Sequence, residues 1–496
     1  MAVKVDTQKE IIFGSSNPNI SRAISKKEKD GELRKLAPRI YTTNLIDSPA
    51  NIVRRNLIEI LAYRYPNALI SHRSAKEMRP TSTGDFFLTN STTRRVTDLP
   101  GIILNFVKGP KATAHDIPFM GMHISGEHRY MLENMQLSRK SGDESRVLPI
   151  SVIENKLEQL LLTGGEERLN QYRDELREVA NELGMADEFS KINNIISALL
   201  STHDARVLST DSAKARASGN PFDANRVGLF EILFDTIKDR YFVIRNNRNT
   251  DEDSFRLFSF FESYFSNYIE GTEFDIEEAK EIVDSGIPMP RRDEDSHDIL
   301  GTFKILSNRT EMRRVPTSPE ELFAILSHRH TILLEGRPHM NPGVFKMRNN
   351  RAGQTEFVDY QLVKGTLSQG FKYYSALTDP FARAIFMMFM ISEVHPFNDG
   401  NGRIARVMMN AEFVRADQSR IIVPTVFRED YILALRKLTR HKDPMAYINV
   451  MTKLHQFSDN LYGTDFTELK NYLAACNAYE EPSQAKLQII DRSIRH

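Results

Sequence analysis

Residues 395–406 read His-Pro-Phe-Asn-Asp-Gly-Asn-Gly-Arg-Ile-Ala-Arg, a titratable ring, a carboxylate, two guanidiniums and two glycines in twelve positions. Each type has a task in phosphate chemistry. Gly400 and Gly402 flank Asn401 and permit backbone angles that turn successive amide N–H groups toward one point. Such a turn at the start of a helix is an anion site, because the first N–H groups have no partner and the positive helix end faces outward. Arg403 and Arg406, one turn apart, add bidentate phosphate donors. Asp399 beside that cradle is the hard oxygen ligand that Mg²⁺ takes. His395, whose ordinary pKa lies near neutrality, suits the removal of a proton from a hydroxyl nucleophile. A lone His-Pro or a lone Gly-Asn-Gly is an ordinary turn; the combination points to nucleotide-phosphate chemistry.

These groups need elements to hold them. Before the loop, "TDPFARAIFMMFMISEV" offers Asp379 as a cap and Pro380 for the first turn of a helix that is apolar on nearly every face. Such a helix must be buried, so its C-terminal end lies inside the protein. Pro396 pushes His395 out of helical geometry, which places the ring at a helix-to-loop break. After the loop a helix resumes, with Ile404, Val407, Met408 and Ala411 on one face and Arg403, Arg406 and Asn410 on another. Far upstream, "SNYIEG" at 266–271 ends a helix with Phe258, Phe261, Phe265 and Ile269 on its apolar face and Glu262, Ser266 and Glu270 opposite. Gly271 terminates it. Residues 341–365 alternate around the turn "NNRAG" and predict a β-hairpin with Thr355 to Leu362 as one strand. Tyr431, in a later amphipathic helix, reads as a core tyrosine, with contact to a bound adenine as the alternative.

The 395–406 stretch matches every specified position of the H-P-F-x-[D/E]-G-N-G-R-x-x-R signature, and residues 225–460 resemble the Fic-domain family. The resemblance implies transfer of AMP from ATP to a Ser, Thr or Tyr hydroxyl of a target protein, with pyrophosphate released. It implies His395 as the base, Phe397 as a loop anchor and Asp399 as the ligand of a Mg²⁺ cofactor. Gly400, Asn401 and Gly402 would cradle the ATP phosphates, and Arg403 and Arg406 would reach the outer ones. "SNYIEG" resembles the family's inhibitory motif, [S/T]-x-x-x-E-[G/N], which assigns Ser266, Glu270 and Gly271 to self-inhibition through a Glu270–Arg406 pair. The hairpin, 344–363, resembles the family's flap, with Thr355, Glu356, Phe357 and Val358 pairing with the main chain of a target. Phosphate-transferring toxins of the superfamily carry Lys at the position of Gly402, so glycine favours adenylylation. Transfer of UMP or phosphocholine, removal of AMP, and a DNA-binding regulator that uses the core as a nucleotide sensor stay open.

The 496 residues are 40% hydrophobic and suggest two to four domains. Lys plus Arg and Asp plus Glu both number 66, so no global charge points to nucleic acid or a membrane. One cysteine, Cys476, excludes an internal disulfide. No signal pattern opens the chain, and the densest apolar run, 384–391, is far short of a membrane span, so the expectation is a cytoplasmic protein. Polar connectors at 136–149, 209–221 and 313–321 divide the chain. The expected order is a 1–136 module, a 150–210 helical connector, a 225–460 core whose inhibitory helix spans 254–271, and a 461–496 helical tail. The fold class is mainly α, with a helical core and hairpin preceded by an α+β module. Residues 1–136 carry 20 Lys/Arg against 13 Asp/Glu. A basic helix with Arg22, Lys26, Lys27 and Lys29, then a hairpin with Arg34, Lys35 and Arg39, suggests a winged helix and resembles the N-terminal domain of abortive-infection antitoxins. DNA contact by this module and a homodimer complete the expectations.

Overall fold

The computed structural model describes residues 9–201, 204–353 and 355–492. The chain divides into two compact units, residues 1–218 and 219–496.

The first unit opens with strands Ile11–Phe13, Arg34–Ala37 and Ile40–Thr42 in one antiparallel sheet, the last of them central. Helix Pro18–Lys29 lies between the first two, begun by the Asn17 cap and Pro18. Arg22, Lys26 and Lys29 are exposed on it, whereas Lys27 turns to Glu32. Two short helices follow, Pro49–Arg55 and Leu57–Arg64, separated at Asn56. Asn56 causes the break: its amide donates to the Ile52 carbonyl at 2.9 Å and to Glu10 at 2.7 Å. A six-stranded mixed sheet then fills residues 69–124, and the winged-helix expectation for 1–136 does not account for it. Its longest ladder is parallel, Asp85–Asn90 against Ile102–Lys108. Helices Ile150–Leu183, kinked at Gly165 where φ is 68°, and Ala186–Leu199 close this unit around their own apolar core.

The second unit is helical. Helix Pro380–Val394 forms as its sequence dictates, with Asp379 accepting from the Ala382 amide and twelve of its residues buried. It packs most extensively on helix Asn401–Arg415. That second helix is also buried over nearly its whole length, so its polar residues need internal partners. Helix Glu252–Ile269 supplies several of them. Asn410 donates to Glu262 at 2.7 Å, and Arg420 pairs with the other oxygen of Glu262 at 2.9 Å. Burial pushes the Glu262 carboxyl up to about 7, against the pull of Arg420, and pushes Arg420 down to about 10.

Removing one member of a buried pair leaves the other charge uncompensated, at a cost of about 3–5 kcal/mol. Arg420→Met is therefore expected to lower stability by about that amount in urea unfolding, and Arg420→Met with Glu262→Leu to recover most of it. Equal losses in the single and double variants would contradict this account.

Candidate active site

His395 occupies the end of the buried helix. Its N–H still bonds to the Ile391 carbonyl at 2.9 Å, but its backbone is left-handed, φ 51° and ψ 61°, which turns the chain away before Pro396. The ring Nδ1 lies 2.9 Å from the Ser392 carbonyl. A carbonyl only accepts, so Nδ1 carries the proton and Nε2 keeps its lone pair. Phe357 stacks on the ring, centroids 3.5 Å apart and planes 4° from parallel. Burial brings the imidazole down to about 4; the charge of Lys346 acts in the same direction, and Glu270 and Asp399 oppose it. The ring is thus a neutral acceptor at physiological pH.

The loop after it is braced from inside. Phe397 is fully buried and stacks on His330 at 3.7 Å. The Asn401 side chain accepts from the Phe397 amide and donates to the Phe397 carbonyl, both at 2.9 Å. Asn401 can therefore offer a ligand only its peptide N–H. His330 accepts at Nδ1 from the Gly343 amide, 2.8 Å, and donates from Nε2 to the Asp399 carbonyl, 3.0 Å. Sequence reasoning missed His330, because its partners lie 13 and 69 residues away and no local pattern marks it.

Buried neutral histidines tie stability to pH. Burial pushes His330 and His455 each down to about 4. Both are nearly inaccessible, at 0% and 2% exposure. Their folded-state values lie below the unfolded value, so their contribution is complete above pH ~6.5 and is lost as pH falls through ~4, roughly 3 kcal/mol for each. Melting temperature is expected to drop between pH 7 and pH 4.5, and His455→Phe to flatten the fall; an unchanged slope would rule this out.

Helix Asn401–Arg415 begins at Gly400, φ 70°, and no side chain caps it. Its first N–H groups face the site without a capping side chain, as an anion cradle requires. Glu270 stands there. Its carboxylate lies 2.7 Å from Arg406 Nη2, and a Cβ on Gly402 would collide with Glu270 Oε1. Arg406 Nε also donates to Ser266 Oγ at 3.0 Å, and Nη2 to the Ser266 carbonyl at 2.8 Å. Gly271, φ 92°, turns the chain away directly after. Burial pushes the Glu270 carboxyl up, but Arg406, with Arg403 and His395, outweighs it and holds the group ionised below the usual carboxylate range.

Other expected residues sit differently. Arg403 is buried against Asp298 at 2.8 Å, and its reach to Asp399 is 3.7 Å. The Asp399 carboxylate is 40% exposed at the mouth of the cradle. Among the described residues no three His, Cys, Asp or Glu side chains gather into a metal site. A single open carboxylate beside a phosphate cradle fits Mg²⁺, which is held by one or two carboxylates together with substrate phosphates. Tyr431 is buried, with its hydroxyl against Arg406 and Met388.

The hairpin is shorter than expected. Arg351–Ala352 pairs with Thr355–Glu356 only, so the strand expected over 355–362 ends after Glu356. Asp359 stops it: its carboxylate accepts from Gln361 N and from the Asn349 amide group, forming a turn over 360–362. Phe357 lies on His395 and Val358 is buried, which leaves Thr355 and Glu356 as the strand pair. Arg440 donates to Thr355 Oγ1 at 3.1 Å and Arg226 to the Glu356 carbonyl at 2.6 Å.

Residues 318–412 match the model of the Fic/DOC family. Protein adenylyltransferase fic-1 of Caenorhabditis elegans is 30% identical over 115 residues, 23% of this chain and 22% of that protein. Protein adenylyltransferase Fic of Nematostella vectensis is 24% identical over 214 residues, 40% of this chain and 47% of that protein. The matched segments thus span less than half of either relative. A solved structure of C. elegans Fic-1 is similar with a TM-score of 0.36 at 17% identity, covering 66% of this chain and 92% of that one. No helix among the described residues is long and apolar enough to cross a membrane. His395, Asp399 and Arg406, together with the helix that precedes the loop and most of the one that follows it, lie inside residues 318–412, the segment that is similar to the Fic/DOC family.

Proposed function

We propose that the protein transfers AMP from ATP to hydroxyl side chains of a target protein and of itself, and that Glu270 holds this activity down. The single observation that carries the reading is the place of Glu270: its carboxylate occupies the uncapped helix start and the guanidinium of Arg406, where a phosphate would bind.

The chemistry follows from the groups around that point. With the target hydroxyl near His395, Nε2 takes its proton and the oxygen forms a bond to the α-phosphorus. The bond from that phosphorus to the bridging oxygen breaks, and pyrophosphate leaves with the electron pair. The N–H groups of Gly402 and its neighbours, with Arg406, hold the negative charge of the phosphates. Asp399 would hold Mg²⁺, which supplies charge neutralisation across the phosphates when bound. Thr355 and Glu356 offer the strand that orients an extended target segment. Glu270 on Arg406 competes with the terminal phosphate as one anion against another, so ATP held beside it adopts an unproductive pose.

ATP labelled at the α-phosphate tests the reaction. Label is expected to pass from α-labelled ATP to protein, and none from γ-labelled ATP, with UTP and CDP-choline giving no modified protein by mass spectrometry. Transfer of the γ-label would overturn the reading. Incubation of AMP-modified protein with the wild-type chain separates removal from addition: retained label supports transfer, and loss of label makes removal the dominant reaction.

A further inference from the structure

Lys346 is a lysine at 3% exposure with no ion-pair partner among the described residues. Its ammonium donates to Asn350 Oδ1 at 2.7 Å and to the Val394 carbonyl at 3.3 Å. Its peptide N–H donates to the Pro396 carbonyl at 2.8 Å. Asn350 in turn donates to the Phe397 carbonyl at 2.9 Å. The carbonyls of residues 394, 396 and 397 are thus all held from the arm of the hairpin that precedes Arg351. Phe357, from the other arm, covers the ring between them.

Holding carbonyls needs only a neutral donor. An ammonium removed from water without a counter-charge is costly, so its presence calls for a task that a neutral donor cannot do. We propose that Lys346 is a positioning residue for His395, holding the carbonyls of the residues before and after it and adding a positive charge to its surroundings. A cation there disfavours a second cation on the imidazole and leaves Nε2 free to accept. The charged groups acting on the ring are Lys346 at the root of the hairpin, Glu270 at the end of helix Glu252–Ile269, and Asp399 in the loop itself. Glu393, one residue before the clamped Val394, is committed to Arg226 and Thr439. Burial brings the Lys346 ammonium down to about 8, with Asp359 opposing and Arg226 reinforcing, so it is largely charged at neutral pH.

The proposal rests on His395 acting as the base, and its test reads the ring itself. The full chain carries histidine labelled with carbon-13 at Cε1, and loss of one signal in His395→Ala assigns His395 among the thirteen histidines. In the wild type the ring is expected to stay neutral from pH 7.5 to 5. In Lys346→Met, and in Lys346→Gln, which keeps a donor without the charge, its midpoint is expected to rise by about one unit, so that protonation begins within that window. Lys346→Arg should retain the wild-type behaviour. An unchanged ring in folded Lys346→Gln overturns the proposal, as does an equal rise in Lys346→Arg. Transfer activity is read separately in a Glu270→Gly background. There Lys346→Met is expected to lose at least tenfold and Lys346→Arg to keep most of the rate. If Glu270→Gly labels nothing, the transfer reading fails, while the ring titration still decides the role of Lys346.

Discussion

Replacing Glu270 by glycine is expected to raise labelling of the protein and its targets by α-labelled ATP by roughly 10- to 150-fold. The range follows from what the carboxylate does at rest. A phosphate that takes Arg406 must first break a charge-assisted hydrogen bond of 2.7 Å, a kind worth about 1.5–3 kcal/mol, and each 1.4 kcal/mol is about tenfold in rate. Glu270 is the C-cap of its helix and is followed by Gly271, so glycine at 270 costs little structure. Glu270→Gln should rise less, because an amide oxygen can still accept from Arg406 without repelling phosphate. Equal labelling by the wild type and Glu270→Gly would remove self-inhibition from the account.

The same contacts limit how the inhibition is relieved. Helix Glu252–Ile269 cannot swing off as a rigid rod without breaking the Glu262–Arg420 pair, the Asn410 bond and the bond from Ser263 to the Ile299 carbonyl, all buried. Glu270 itself is one-third exposed and has Arg406 as its ion-pair partner. Release therefore needs only rotation of the Glu270 side chain or unwinding of the last turn at Gly271. On the proposed reading a trigger would act at this end of the helix, since Glu262 and Ser263 are held by buried polar contacts.

What the sequence revealed and what it hid divide along one line. The 395–406 loop and the 266–271 helix end are local patterns, and the pairing of Glu270 with Arg406 followed from the resemblance that both carry together. The six-stranded sheet gave no such signal. Strand Asp85–Asn90 is buried on both faces and lacks alternation, while Arg94–Leu99 is an exposed edge with almost no apolar residues. The flap strand was drawn too long because alternation continues past Glu356, where bonds from the Asn349 side chain to Asp359 and from the Tyr360 N–H to Asn349 take over from main-chain pairing. His330, Lys346 and Asp298 act on Asp399, Val394 and Arg403, partners 48 to 105 residues away, which no periodicity records.

In the Glu270→Gly background, His395→Ala is expected to lower AMP transfer by about 10²–10⁴-fold, the usual contribution of a positioned base, with the affinity for ATP unchanged. Affinity should hold because, on the proposed reading, the phosphates would meet Arg406 and the N–H groups at the start of helix Asn401–Arg415, none of which depends on the ring. Alanine is strained at φ 51°, so a loss of rate could come from a shifted loop. Asparagine tolerates left-handed geometry, and His395→Asn therefore removes the base while keeping the turn. It should be as inactive as His395→Ala with a melting temperature nearer the parent's; retention of a tenth of the rate would show that the ring is not the base. The pH profile gives a second check. A base fails when protonated, and burial has already brought His395 down to about 4, so transfer should be level from pH 7.5 to 5 and fall only below that. Glu270 pushes the ring upward, so its removal moves the fall to still lower pH. An acid limb near 6.5 in the Glu270→Gly protein would mean that the ring works in water, outside the enclosure formed by Phe357, Lys346 and the buried helix end.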